Sequence, residues 1–132
     1  MIGLDANALL GLLEHEHSSR SQAAKTLLKQ AQNDDGGGYI HPLALGKLGD
    51  ALEKIVGGRA RVADYLAFIL NAPEFTVGAE KAAREALKSY RDGTASFSDC
   101  LLTALNRAAG CQNTFIGTGH PQNFAGFAKF EG

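Results

Sequence analysis

Two aspartates stand where this chain could do chemistry. Asp5 follows the short apolar run Met1–Leu4, and Asp99 lies in Ser96-Phe97-Ser98-Asp99, ahead of Leu101, Leu102, Leu105 and Ala108 at helical spacing. Asp5 falls at the carboxyl end of a candidate strand, where function collects in open α/β sheets. Asp99 falls in the first turn of a helix, where the dipole favours a charged carboxylate, and its sharper reading is a metal ligand. Each also has a plainer use. Asp5 or Asn7 can cap the first helix, and Ser96 with Asp99 makes a capping-box-like S-x-x-D. Both readings stand at this point.

The elements that must position them follow from periodicity and punctuation. Apolar spacing predicts helices over about 6–14, 20–32, 43–56, 59–70, 79–92 and 96–109. Inward faces are Ala8, Leu9, Leu12 and Leu13; Ala23, Ala24, Leu27, Leu28 and Ala31; and Leu45, Leu48, Leu52 and Ile55. The later helices turn in Val62, Leu66, Ile69 and Leu70, then Ala79, Ala83, Ala86, Leu87 and Tyr90. Pro42 suits a first helical turn, and Gly110 a left-handed position past a helix end. Short strands are expected at 1–4, 39–41, 75–77 and 113–116. Asn33 to Gly38 and Gly117 to Pro121 are loops by composition. Phe124, Phe127 and Phe130 suit a core or edge-strand role. Strands alternating with longer helices point to an α/β fold with a largely parallel sheet.

Other charged groups have simpler readings. Glu14-His15-Glu16-His17 lacks the spacing that would aim two histidines at one ion. His41 reads as a strand-end polar residue, and Lys47 with Asp50 as an exposed pair three apart. Lys81, Arg84, Lys88 and Arg91 line up as a basic stripe on one helix face, which could run along a phosphate backbone or simply be solvated.

Composition narrows the class. The 132 residues suit a single domain, 45% are apolar, and the formal net charge is −1. There is no global basic field, so nucleic-acid binding would need a local patch. Cys100 and Cys111 form no C-x-x-C motif. With no secretory signal and no apolar run long enough to span a bilayer, a cytoplasmic protein with free thiols and no membrane contact is expected.

M-I-G-L-D-A-N-A-L-L and A-S-F-S-D-C-L-L-T-A-L-N-R-A-A-G-C together resemble the opening and the late helix of PIN domains, in particular the VapC-like toxins of toxin–antitoxin pairs. The resemblance covers nearly the whole chain. It implies a three-layer α/β/α sandwich with a central parallel sheet and an acidic cluster at its carboxyl edge. In active members that cluster binds magnesium or manganese and cleaves RNA. Hard divalent cations want oxygen ligands, and the metal supplies the attacking hydroxide. An antitoxin-like protein, RNA and a second copy of the chain are the partners the resemblance implies.

By the resemblance, Asp5 matches the first family acid and Asp99 the late-helix acid, with Asn7 and Ser96 beside them. The family glutamate falls at or next to Lys47. The acid after Thr114-Phe115 is missing, and an acid often found before the late helix is Ser96. Lysine for glutamate changes local charge by two units. Each unit is worth roughly 4 kcal/mol at about 4 Å and an effective dielectric of about 20, before solvation. The expectation is an impaired metal site, with Asp50, one turn past Lys47, as a further candidate ligand. The alternatives are an active Mg- or Mn-dependent endoribonuclease and a binding module that uses the stripe alone.

Overall fold

The computed structural model describes residues 1–14, 19–34, 36–116 and 127–129. In chain order the elements are β1 (Ile2–Gly3), α1 (Ala6–Leu13), α2 (Ser19–Asp34), β2 (Gly38–Ile40), α3 (Pro42–Ile55), α4 (Arg59–Asn71), β3 (Phe75–Val77), α5 (Glu80–Asp92), α6 (Phe97–Ala108), β4 (Thr114–Ile116) and β5 (Phe127–Lys129). His15, Glu16 and His17, the loop 117–121, Phe124 and Phe130 lie outside the described residues.

Strands β1, β2 and β3 form a parallel sheet in that order, as the strand–helix alternation predicts. Among the described residues six helices accompany it, consistent with the expected α/β/α layering. Gly3 pairs with Tyr39 and Ile40 with Val77, so the three strands end at one edge. β4 and β5 form a separate parallel ladder, with Phe127 opposite Thr114. Phe127 thus has the strand role expected of it.

Local signals hold at several helix ends. The Asp5 carboxylate accepts from the Ala8 N–H, and Ser96 Oγ from the Asp99 N–H. Pro42 opens α3, behind the His41 cap. Gly110 is left-handed (φ 103°) just past α6, and the Cys111 N–H closes on the Asn106 carbonyl.

The core gathers Leu9, Ile40, Leu45, Leu48, Leu66 and Phe97, all fully buried. Gly49 permits the close approach of α3 and α6, since a Cβ there would lie 2.6 Å from the Phe97 ring. Three expectations fail. Ile55 continues the apolar stripe of α3 yet is exposed, as are Leu27 and Ala23 of α2. Periodicity marks a face without saying where its packing partner ends. Ala79 is not an inward helical residue: it is exposed and left-handed (φ 50°) at the start of α5. Asn33 and Asp34 belong to α2 rather than to a loop. Among the described residues no helix is long and apolar enough to cross a membrane.

Candidate functional site

Because β1 and β2 are parallel neighbours, the residues that follow them emerge together. The Leu4 N–H donates to the Tyr39 carbonyl at 2.9 Å, and Asp5 and His41 come next. Here the chain opens a cleft of about 430 Å³, lined among others by Asp5, Tyr39, His41, Leu43, Ala44 and Lys47. Leu43, Ala44 and Lys47 are spaced three and four apart and so share one face of α3. The aspartate at the end of β1 and the lysine of α3 therefore open onto one cavity.

The next face of α3 opens onto an adjoining cleft of about 490 Å³ against α6, where His41 and Lys47 meet Asp50, Ser98, Leu102 and Leu105. Asp50 does not pair with Lys47, as the spacing suggested. It accepts a 2.6 Å hydrogen bond from Ser98 Oγ, a hydroxyl that also lies 3.0 Å from the Gly46 carbonyl. A short contact across two helices has displaced a weak neighbour pair on one of them.

Asp99 lies in the first turn of α6, half-buried, and lines neither cleft. Ser96 is engaged as the cap of that turn, and Asn7 is exposed in the first turn of α1. Among the described residues no group of three or more His, Cys, Asp or Glu is placed to hold a metal ion.

The basic stripe divides by residue type. Arg84 donates to the Asn71 side chain and the Leu70 carbonyl, both at 2.9 Å, which closes the last turn of α4. Arg91 pairs with Asp64 of α4 at 3.2 Å. Lys81 and Lys88 are exposed. The arginines tie α5 to α4, and the lysines face solvent.

At the far end of α3 a second polar cluster is closed. Glu53 accepts the Phe97 N–H at 3.0 Å, which serves a backbone donor that the α6 helix cannot satisfy itself. Arg59 stacks over the Tyr90 ring, 3.9 Å from its centroid, and donates to the Tyr90 carbonyl. Tyr90 meets Phe97 edge-on at 5.9 Å. Burial, with Glu53 nearby, pushes the Tyr90 hydroxyl above its ordinary value. Burial likewise pushes the Cys100 thiol to about 12.

His41 is more than the strand-end polar residue that its sequence position suggests. Its Nδ1 accepts the Leu43 N–H at 3.0 Å, so it caps α3, and it borders both clefts. The available signal was a polar residue directly before the Pro42 that opens the helix. Arg59, Glu53 and the Asp50–Ser98 contact carried no local signal, because their partners lie 31 to 48 residues away.

A further cleft of about 510 Å³ between α1 and α4, with Leu12, Tyr65 and Phe68 in its wall, is lined by none of Asp5, Asn7, Lys47, Asp50, Ser96 or Asp99. The chain matches no family model and no curated protein. Among solved structures, the crystal structure of VapC20 from Mycobacterium tuberculosis, described as a Sarcin-Ricin loop cleaving toxin, is similar at 22% identity and a TM-score of 0.42, over 86% of each chain.

Proposed function

We propose that residues 1–132 form a single PIN-like domain, related to the VapC-type toxin ribonucleases, whose metal-dependent cleavage of RNA is impaired or lost and whose remaining role is binding. The motifs around Asp5 and Asp99 and their order along the chain support the relationship. The parallel sheet that ends at Asp5 and His41 agrees with it.

The loss of activity rests on one observation: Lys47 lines the cleft that Asp5 enters. A magnesium or manganese ion needs several oxygens, including carboxylates. In this cleft one carboxylate is engaged as a helix cap, and Lys47 brings a positive charge rather than a second anion to the lining. The donor set does not fit a divalent ion, so no catalytic step is assigned through one. RNA is the first partner on this reading, with Lys81 and Lys88 as outlying phosphate contacts. An antitoxin-like protein or a second copy forming a homodimer are the protein partners, in a cytoplasmic setting.

The deciding experiment is RNA cleavage by the purified protein in Mg²⁺ or Mn²⁺, with Asp5→Asn as control. The expected result is no metal-dependent turnover above the control. Strong turnover abolished by Asp5→Asn would overturn the reading in favour of a working endoribonuclease built on Asp5, Asp99 and Asp50. Calorimetry with millimolar Mn²⁺ gives an independent readout, with no binding heat expected.

A further inference from the structure

The cleft between β1, β2 and α3 has more than a missing ligand set; it has donors with nothing to donate to. Asp5 accepts the Ala8 N–H at 2.9 Å, and the positive end of α1 offsets part of its charge. His41 Nδ1 accepts the Leu43 N–H at 3.0 Å. A ring nitrogen that accepts carries no proton, so the neutral imidazole bears its hydrogen on Nε2. Lys47 is exposed and makes no ion pair or hydrogen bond among the described residues. Among the described residues the donors left open here are therefore an ammonium and an imidazole N–H, beside the N-terminal end of the 14-residue helix α3, with the second oxygen of the Asp5 carboxylate in the same lining.

Two such donors suit an oxyanion, whereas the single capping carboxylate is too few ligands for a divalent cation. Charge-assisted hydrogen bonds from lysine and histidine to phosphate oxygens are the stronger class. The walls add a second requirement. Tyr39, Leu43 and Ala44 offer an aromatic and aliphatic surface beside the donors. The cleft shares His41, Leu43 and Lys47 with the neighbouring groove along α6. A ligand with a phosphate and a planar apolar part fits this arrangement, and a strand of such units has room to continue.

We infer that Lys47 and His41 form a metal-independent phosphate-binding site, which takes the phosphate of a nucleotide, free or within single-stranded RNA. The inference deepens the function proposed above, from which it takes RNA as the partner. Lys47 then supplies within the protein the positive charge that a divalent ion supplies in a working nuclease. The site holds a phosphodiester without hydrolysing it, since an ammonium provides no bound water to attack.

The test is binding in EDTA, measured by NMR titration or calorimetry, with uridine, uridine monophosphate, inorganic phosphate and a short oligouridylate as probes. Uridine monophosphate and oligouridylate are expected to bind and uridine to bind far more weakly. Inorganic phosphate should compete with both. Lys47→Met should weaken nucleotide binding by about tenfold, the loss of one charge-assisted contact, while Lys47→Arg should restore most of it. His41→Asn preserves a good helix cap and should weaken binding by a smaller factor, with thermal unfolding near that of the parent.

Nucleotide binding unchanged by Lys47→Met would overturn the inference, as would uridine binding as well as its monophosphate. RNA binding lost only in Lys81→Glu/Lys88→Glu would also overturn it, by moving the contact to α5. Metal-dependent cleavage, the result that would sink the proposed function, is read without EDTA and is a separate outcome.

Discussion

At its N-terminal end α3 presents His41 and Lys47 to open clefts, whereas at its C-terminal end the exposed Glu53 is held by a hydrogen bond from the buried Phe97 of α6. Both ends carry a charge on one helix, and the difference lies in what faces them. Glu53 meets the first N–H of α6, and Arg59, at the start of α4, meets a buried tyrosine ring and its carbonyl. Lys47 meets a cavity. A charge whose partners belong to the fold contributes to stability. One left facing a cleft is available to a ligand. The same division runs through α5, where the arginines are held by α4 and the lysines are not.

The comparison can be broken most sharply at the cysteines. Cys100 is buried at the closed end, with its thiol pushed up from 9.0 to about 12, whereas Cys111 is exposed. The thiolate is the reactive form, so a rise of three units suppresses it about a thousandfold near neutral pH. In native protein at pH 8, a disulfide reagent should titrate Cys111 and leave Cys100 until denaturant is added. The sign requires Cys100 to become more reactive as pH climbs toward 12. Rapid native modification of Cys100 would mean that this end is open.

Tyr90→Ala should come next. It removes a ring that is 1% exposed, together with its contacts to Arg59 and Phe97. An unfolding free-energy loss of about 3–5 kcal/mol in urea denaturation is expected. Glu53→Ala should cost roughly 1–3 kcal/mol, because the Phe97 N–H loses its acceptor. Glu53→Gln should recover part of that.

Arg84→Ala should cost about 1 kcal/mol through the Leu70 and Asn71 contacts. Its neighbour Lys88→Ala should stay within about 0.5 kcal/mol. Equal effects would erase the distinction between the two halves of the stripe. Lys47→Glu should have the smallest effect on stability, also within about 0.5 kcal/mol, yet calorimetry should find Mn²⁺ affinity raised. A large loss of stability there would place Lys47 among the structural charges.

Much of the fold was legible because its signals are local. Ser96 and Asp5 act as caps over three residues, Pro42 starts α3, and Gly110 ends α6, each decided by groups within one helical turn. The parallel sheet followed from strands separated by helices long enough to cross over. The failures were equally physical. Ile55 and Leu27 sit on apolar stripes that outrun the surfaces covering them. Asp50 found a hydroxyl 48 residues away rather than its helical neighbour.

The candidate site divides along the same line. Sequence alone determined that an aspartate would close the first strand, and that a lysine would sit in the second turn of the third helix, because caps and periodicity act over a few residues. Only the tertiary structure decided that the two enter one cleft, that His41 Nδ1 caps its helix, and that Arg84 and Arg91 bond to α4. Those outcomes depend on which strands lie side by side and on which helix faces meet. They are non-local contacts, settled by packing the whole chain at once.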